Sequence, residues 1–209
     1  MSGLALPHVA AVVFFAVLLV FERARRSPAL SFVRHPMFAY LARGALALGY
    51  FAFIGVDPFP WFAGAATLWL LAAAVGVVAI AVIRRRDVAA LARGQGGMLT
   101  QAAYLAVVVA VVEELIFRGA FVLVAAVTPA TTVLASAGAS AAYVVWRALV
   151  YRDREPRSLA IVFAASFALG LLAGLSRSLW PPVIVHGGYV LLAGPPRAPR
   201  RVTPSAARP

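Results

Sequence analysis

Apolar positions along this chain come in long unbroken runs, not in the alternation of a half-buried strand or the single stripe of a surface helix. Runs of roughly 20 residues, at about 1.5 Å of rise per residue, match the hydrocarbon thickness of a bilayer. Hydropathy, together with the charges between the runs, predicts helical spans over residues 4–21, 36–55, 61–83, 100–125, 130–150, 159–176 and 179–194. The fourth is long, about 39 Å by helical rise, and is expected to tilt or project. The seventh is short, about 24 Å against a core of roughly 30 Å, and is bounded by "WPP" and "GPP". A short, proline-bounded span suits a position buried in protein or lining a cavity. The expected fold is all-α, a polytopic membrane bundle of about seven transmembrane helices.

Composition agrees: 63% of the 209 residues are hydrophobic and the mean hydropathy is +0.92, too little polar surface for a soluble domain. Cysteine is absent, which removes disulfides, thiolate metal sites and cysteine nucleophiles. The net charge of +12 raises nucleic-acid binding, but the arginines sit in a different pattern. Fifteen of the nineteen fall in four segments, Arg23 to Arg34, Arg84 to Arg93, Arg152 to Arg157 and Arg197 to Arg208, and the alternate loops hold only Asp57, nothing, and Arg177. That is the positive-inside pattern, with the N-terminus outside and the C-terminus cytoplasmic. The excess charge is topological and faces anionic lipid; no nucleic-acid partner is expected. The first apolar run follows "MSGLALPH" with no basic region and leads into "ERARR", so it reads as an anchor in the plasma membrane, not a cleavable signal.

Ser166, Gly170 and Gly174 form a small-residue ridge on the sixth span, and "ASAGASAA" does the same on the fifth; both are expected to serve helix packing. The tail 195–209, rich in proline and arginine, is expected to be disordered and basic.

Against this apolar background, "VVEELIFRGA" puts Glu113, Glu114 and Arg118 inside the fourth span. Ionised groups near a bilayer centre cost at least about 2.5 to 3.5 kcal/mol each, so they pair, face water or carry function. Adjacent helical side chains diverge by about 100°, so Glu113 and Glu114 point differently. Arg118 lies one turn beyond Glu114 and shares its face in the favourable acid-before-base order. Glu114 is thus expected to pair with Arg118 as a structural ion pair, leaving Glu113 without a local partner. A buried salt-bridge cluster with no reaction is the plain alternative. The other deep polar group is His186 in "LWPPVIVHGGYV", whose depth by helical rise is compatible with that of Glu113. Gly187 and Gly188 beside it are expected to leave room for a backbone or a substrate.

"EELIFRG" resembles the EExxxR motif of the CPBP family of intramembrane proteases, which includes CAAX prenyl endopeptidases and relatives linked to bacteriocin immunity. "SLWPPVIVHGGYVLLAG" is similar to the family's final motif, and "FALGLLAGLSR" to the small-residue helix before it. The resemblance covers about residues 99–194, a CPBP-type protease-like core, after N-terminal helices and cytoplasmic loops over 1–98. It implies an intramembrane endopeptidase, a hydrolase acting on a membrane-associated protein or a lipidated, prenylated CAAX-type peptide. In that reading Glu113 activates the attacking water, Arg118 holds Glu114, and His186 positions the water, binds a metal or stabilises the oxyanion. Peptide hydrolysis needs a base for water and a donor for the developing oxyanion.

Two positions depart from the family pattern. In "YVVWR", Tyr143 is the motif aromatic but Arg147 stands where histidine is expected, and Val190 stands where the final motif has asparagine. His8 and His35 lie outside the matching half. No cofactor is therefore expected; zinc is implied by the resemblance, but its ligands are incomplete. Arg147 has three readings: it snorkels to the cytoplasmic surface, pairs with Glu113, or acts catalytically as a fixed cation for the oxyanion. The same departures support an inactive CPBP-like membrane protein that binds a partner in an immunity or regulatory role. A transporter using Glu113 as a proton site is a third class, and no internal repeat supports it. Arg43, inside the second span, is expected to serve packing or to snorkel, and Tyr189 and Trp180 to belong to the aromatic belt or a cavity wall.

Overall fold

A computed structural model describes residues 5–28, 35–85 and 96–193. The tail 195–209 and several of the topological arginines, among them Arg34, Arg86 and Arg93, lie outside the described residues.

The described residues are all-helical: α1 (Ala5–Ala24), α2 (Pro36–Phe53), α3 (Thr67–Ile83), α4 (Gly96–Glu114), α5 (Pro129–Val150), α6 (Pro156–Ser176) and α7 (Trp180–Ala193). A short 3₁₀ turn, Phe59–Phe62, precedes α3, and a π-helical segment, Leu115–Leu123, continues α4. Helix starts follow local chemistry. Thr128 and Thr131 cap α5 reciprocally, Thr131 N donating to Thr128 Oγ1 at 3.2 Å and Thr128 N to Thr131 Oγ1 at 2.8 Å. Proline opens α2, α5 and α6, where its missing N–H removes no helical bond.

Three departures from the sequence pattern have a local cause. The third helix begins at Thr67, not at 61, because Pro58 and Pro60 hold a 3₁₀ turn and Gly64 takes φ 149°, a region that favours glycine. α1 runs past 21 to Ala24, since Glu22 is buried and paired instead of marking the start of a polar loop. The fourth span changes from α to π hydrogen bonding directly after Glu114, a widening that sequence periodicity does not register and that often marks functional sites.

The π segment is the axis of the bundle. Every residue from Val112 to Ala120 is buried, the charged Glu113, Glu114 and Arg118 included, as expected only where neighbouring helices surround the segment and supply partners. α2, α5, α6 and α7 contact α4 or its π continuation, and α3 docks on the far side of α7. The small-residue ridge works as expected: a Cβ on Gly170 would lie 2.8 Å from Ser136 Cβ, and one on Gly174 would lie 2.5 Å from Thr132 Cγ2, so α5 and α6 approach with no space to spare. The glycines beside His186 do not leave room for a substrate. A Cβ on Gly188 would stand 3.0 Å from Val77 of α3, and one on Gly187 would stand 3.6 Å from Ala110 of α4, so helix packing takes the space.

The outer surface is apolar. Val9, Val12 and Val20 on α1, Leu71, Val75 and Val82 on α3, Leu134 on α5 and Ile161 on α6 are all exposed. Among the described residues Pro129–Val150 and Pro156–Ser176 are long and apolar enough to cross a membrane.

Candidate active site

The site is assembled on the junction where α4 becomes π-helical. Glu114 is fully buried, and its Oε2 stands 3.1 Å from Arg118 Nε, the pairing that the four-residue spacing predicts. The contact is ionic and not well directed, since neither atom has good hydrogen-bond geometry toward the other. Arg118 is held from the far side by α6: its Nη2 donates to Ser166 Oγ at 3.0 Å and to the Ser166 carbonyl at 3.2 Å.

Glu114 has a second partner. Its Oε1 lies 2.6 Å from Nδ1 of His186, while Nε2 of the same ring faces Glu113 Oε2 at 3.7 Å. Glu113 and Glu114 do point differently, yet one imidazole meets both, because its nitrogens lie on opposite edges of the ring. With Nδ1–H donating to Glu114, Nε2 is directed at the gap before Glu113. The order Arg118, Glu114, His186 is a cation, a carboxylate and an imidazole in series, the arrangement by which a buried acid sets the tautomer and aim of a histidine.

Glu113 itself sits in a cage of phenols. Tyr143 of α5 donates to Oε2 at 2.8 Å; Tyr40 of α2 and Tyr151, just past the end of α5, reach Oε1 at 3.2 and 3.1 Å. Tyr40 and Tyr151 also touch each other, Oη to Oη, at 2.9 Å. Each ring lies beneath a guanidinium: Arg43 over Tyr40 at 4.5 Å, Arg118 over Tyr143 at 5.6 Å, and Arg147 over Tyr151 at 4.9 Å.

Arg147 is not placed against Glu113. Its Nη2 stands 3.5 Å from Asp153 in the loop after α5, and its stack on Tyr151 is its link to the cage. Val190 is half-buried against the apolar core, and Trp180 donates from Nε1 to the Phe62 carbonyl at 2.7 Å, tying the α6–α7 turn to the 3₁₀ turn. The structure thus joins Glu113, Glu114, Arg118 and His186 in one cluster and leaves Arg147 one tyrosine away.

Sequence reasoning missed Tyr40, Tyr151, Ser166 and the Glu22–Arg43 pair. Tyrosine near the end of an apolar run reads as interfacial belt, and only helix rotation tells a belt from a cage. Arg43 offered a usable signal, because an arginine inside a span demands an acid, and Glu22 is the nearest one at a matching depth.

The donor set does not fit zinc. Glu114 takes Nδ1 of His186, which leaves one imidazole nitrogen and one carboxylate facing each other, and among the described residues no three His, Cys, Asp or Glu side chains converge on a metal-sized point.

Residues 95–192 match the family model described as type II CAAX prenyl endopeptidase Rce1-like. The similarity spans a little under half of the 209 residues. No curated protein and no solved structure matches the chain. The Rce1-like family is membrane-embedded and of CAAX-protease type. The matched region contains Glu113, Glu114, Arg118, Tyr143 and His186, whereas Tyr40, Arg43 and Glu22 lie before it.

Proposed function

We propose that the chain is an intramembrane endopeptidase of the plasma membrane, crossing it seven times, that hydrolyses a peptide bond of a membrane-associated or prenylated CAAX-type substrate. The observation that carries the reading is the 3.7 Å gap between Glu113 Oε2 and His186 Nε2, with Glu114 behind the imidazole at 2.6 Å. A water seated beside that gap, within hydrogen-bond reach of both atoms, meets a carboxylate and an aimed imidazole at once.

Glu113 takes a proton from this water as its oxygen attacks the peptide carbonyl carbon; the C=O electron pair moves to oxygen. Tyr143, the nearest phenol donor, turns from Glu113 to that oxyanion. Glu113 then returns its proton to the amide nitrogen, the C–N bond breaks, and a carboxylic acid and an amine leave. Glu114 and Arg118 act by holding His186. Arg147 acts through Tyr151, not on the substrate.

The test compares purified wild type, Glu113→Gln and His186→Ala against membrane-tethered peptides, prenylated CAAX peptides included, with and without chelator and read by mass spectrometry. Cleavage by wild type that is lost in both variants and survives chelation is expected. Cleavage that persists in Glu113→Gln overturns the assignment of the base. A wild type silent even toward partners recovered by crosslinking overturns the protease reading in favour of a binding protein.

A further inference from the structure

One of the three phenols on Glu113 comes from outside the matched region. Tyr40 lies on α2, and its ring is covered by Arg43, whose guanidinium is also 5.1 Å from the ring of Trp146 on α5. Arg43 Nε and Nη2 each stand 2.8 Å from Oε1 of Glu22 on α1, while Arg25 Nε holds Oε2 of the same carboxylate at 2.6 Å. Glu22 and Arg43 are both 2% exposed. A continuous line of contacts therefore runs from α1 through α2 to the carboxylate: Glu22, Arg43, Tyr40, Glu113.

A buried ion pair is a poor way to add stability, since hydrophobic residues of similar volume commonly serve as well or better. What it supplies is geometry. The guanidinium is pinned by a carboxylate and lies over the rings of both Tyr40 and Trp146, so the Tyr40 ring has little freedom to turn.

The hydroxyl that results is part of a three-oxygen ring. Tyr40 Oη, Tyr151 Oη and Glu113 Oε1 are separated by 2.9, 3.1 and 3.2 Å, three contacts that the two phenolic protons cannot fill together. A proton arriving on Oε1 completes the ring. This edge of Glu113 is built to be held, and the opposite edge, Oε2, faces His186.

We propose that Glu22, Arg43 and Tyr40 are positioning residues for Glu113, so that α1 and α2 form part of the site and do more than complete the bundle. The consequence for cleavage rests on the protease reading above; the consequence for the carboxylate does not. Without Tyr40 the Glu113 side chain loses a donor on Oε1 and turns away from His186.

The test reads Glu113 directly. The full chain in detergent is exposed to a hydrophobic carbodiimide, and modification of Glu113 is quantified by peptide mass spectrometry. Tyr40→Phe, which keeps the ring and removes only the hydroxyl, and Glu22→Gln are each expected to raise labelling about tenfold, the scale of one hydrogen bond to a charged group. Tyr50→Phe is the control: its hydroxyl is buried on the same helix, has no hydrogen-bond partner among the described residues, and should leave labelling unchanged. If Glu22→Gln does not fold, Tyr40→Phe decides alone. Labelling of folded Tyr40→Phe at the wild-type rate overturns the proposal. On any substrate that wild type cleaves, Tyr40→Phe should lower kcat and spare KM. Increased labelling with a wild type that cleaves nothing sinks the protease reading and leaves the positioning role standing; wild-type cleavage with unchanged labelling does the reverse.

Discussion

Nδ1 of His186 lies 2.6 Å from Oε1 of Glu114, so the second glutamate of the pair is an orienting group for the histidine as well as the partner of Arg118. The two roles are separable because they use different carboxylate oxygens, Oε1 toward the ring and Oε2 toward the guanidinium. A substitution can therefore remove one and weaken the other.

Glu114→Gln keeps the volume but loses the charge that sets His186 and neutralises Arg118. Cleavage should fall by about 10² to 10⁴ in kcat with KM little changed, as expected when a histidine loses its orienting acid. Thermal unfolding in detergent should show a loss of about 3 to 5 kcal/mol, because Arg118 is left buried and unpaired. Activity lost with stability intact would leave only the orienting role.

Tyr143→Phe removes the shortest bond to Glu113, 2.8 Å, while keeping the ring under Arg118. Stability should drop by about 1.5 to 3 kcal/mol, whereas kcat should drop by about 10² to 10³ if the hydroxyl serves the oxyanion. A kcat loss no larger than the stability change would assign Tyr143 to packing alone.

Gly174→Ala places a methyl 2.5 Å from Thr132 Cγ2 and 3.2 Å from Val122 Cγ1. Overpacking should destabilise the α5–α6 contact by about 1 to 3 kcal/mol despite the better helix propensity of alanine. Thr132→Ser, which removes the obstructing methyl, should recover most of that loss in the double variant, measured as the midpoint of thermal unfolding.

The C-terminal end of α5 offers a pH test. The Ser158 hydroxyl, donating to Asp153 Oδ2 at 2.7 Å, holds the Asp153 carboxyl below its ordinary range, with Arg147 assisting. A depressed acid adds stability that is fully present above the unfolded pKa of about 3.9 and lost as pH falls through the folded value. Wild type should therefore be more stable than Asp153→Asn at pH 6, with the difference shrinking below about pH 4. The effect should be small, because Asp153 lies near the surface. An unfolding difference that does not change between pH 6 and pH 3 would remove Asp153 from the account.

Much of this protein was set by its sequence alone. Long apolar runs dictate helices wherever they fold, because backbone groups in an apolar setting must bond within their own segment. The Glu114–Arg118 contact follows from four-residue spacing, and the Ser166–Gly170–Gly174 ridge follows from side-chain size, so both are local properties that any helix would express. The depth of His186 relative to Glu113 was likewise legible from helical rise.

Tertiary structure decided everything that depends on rotation and neighbours. Hydropathy says that Tyr40, Tyr143 and Tyr151 lie in or beside apolar helices, but a tyrosine facing lipid and one facing a carboxylate have the same sequence signature. Only the packing of α2, α5 and the α5–α6 loop around the π segment brings their hydroxyls to Glu113, and only the rotation of α7 gives His186 to both glutamates. Glu22 and Arg43 read as loop charge and stray charge until α1 and α2 lie side by side. Contacts within one helix are written in spacing; contacts between helices depend on how each is turned about its own axis, which hydropathy does not specify.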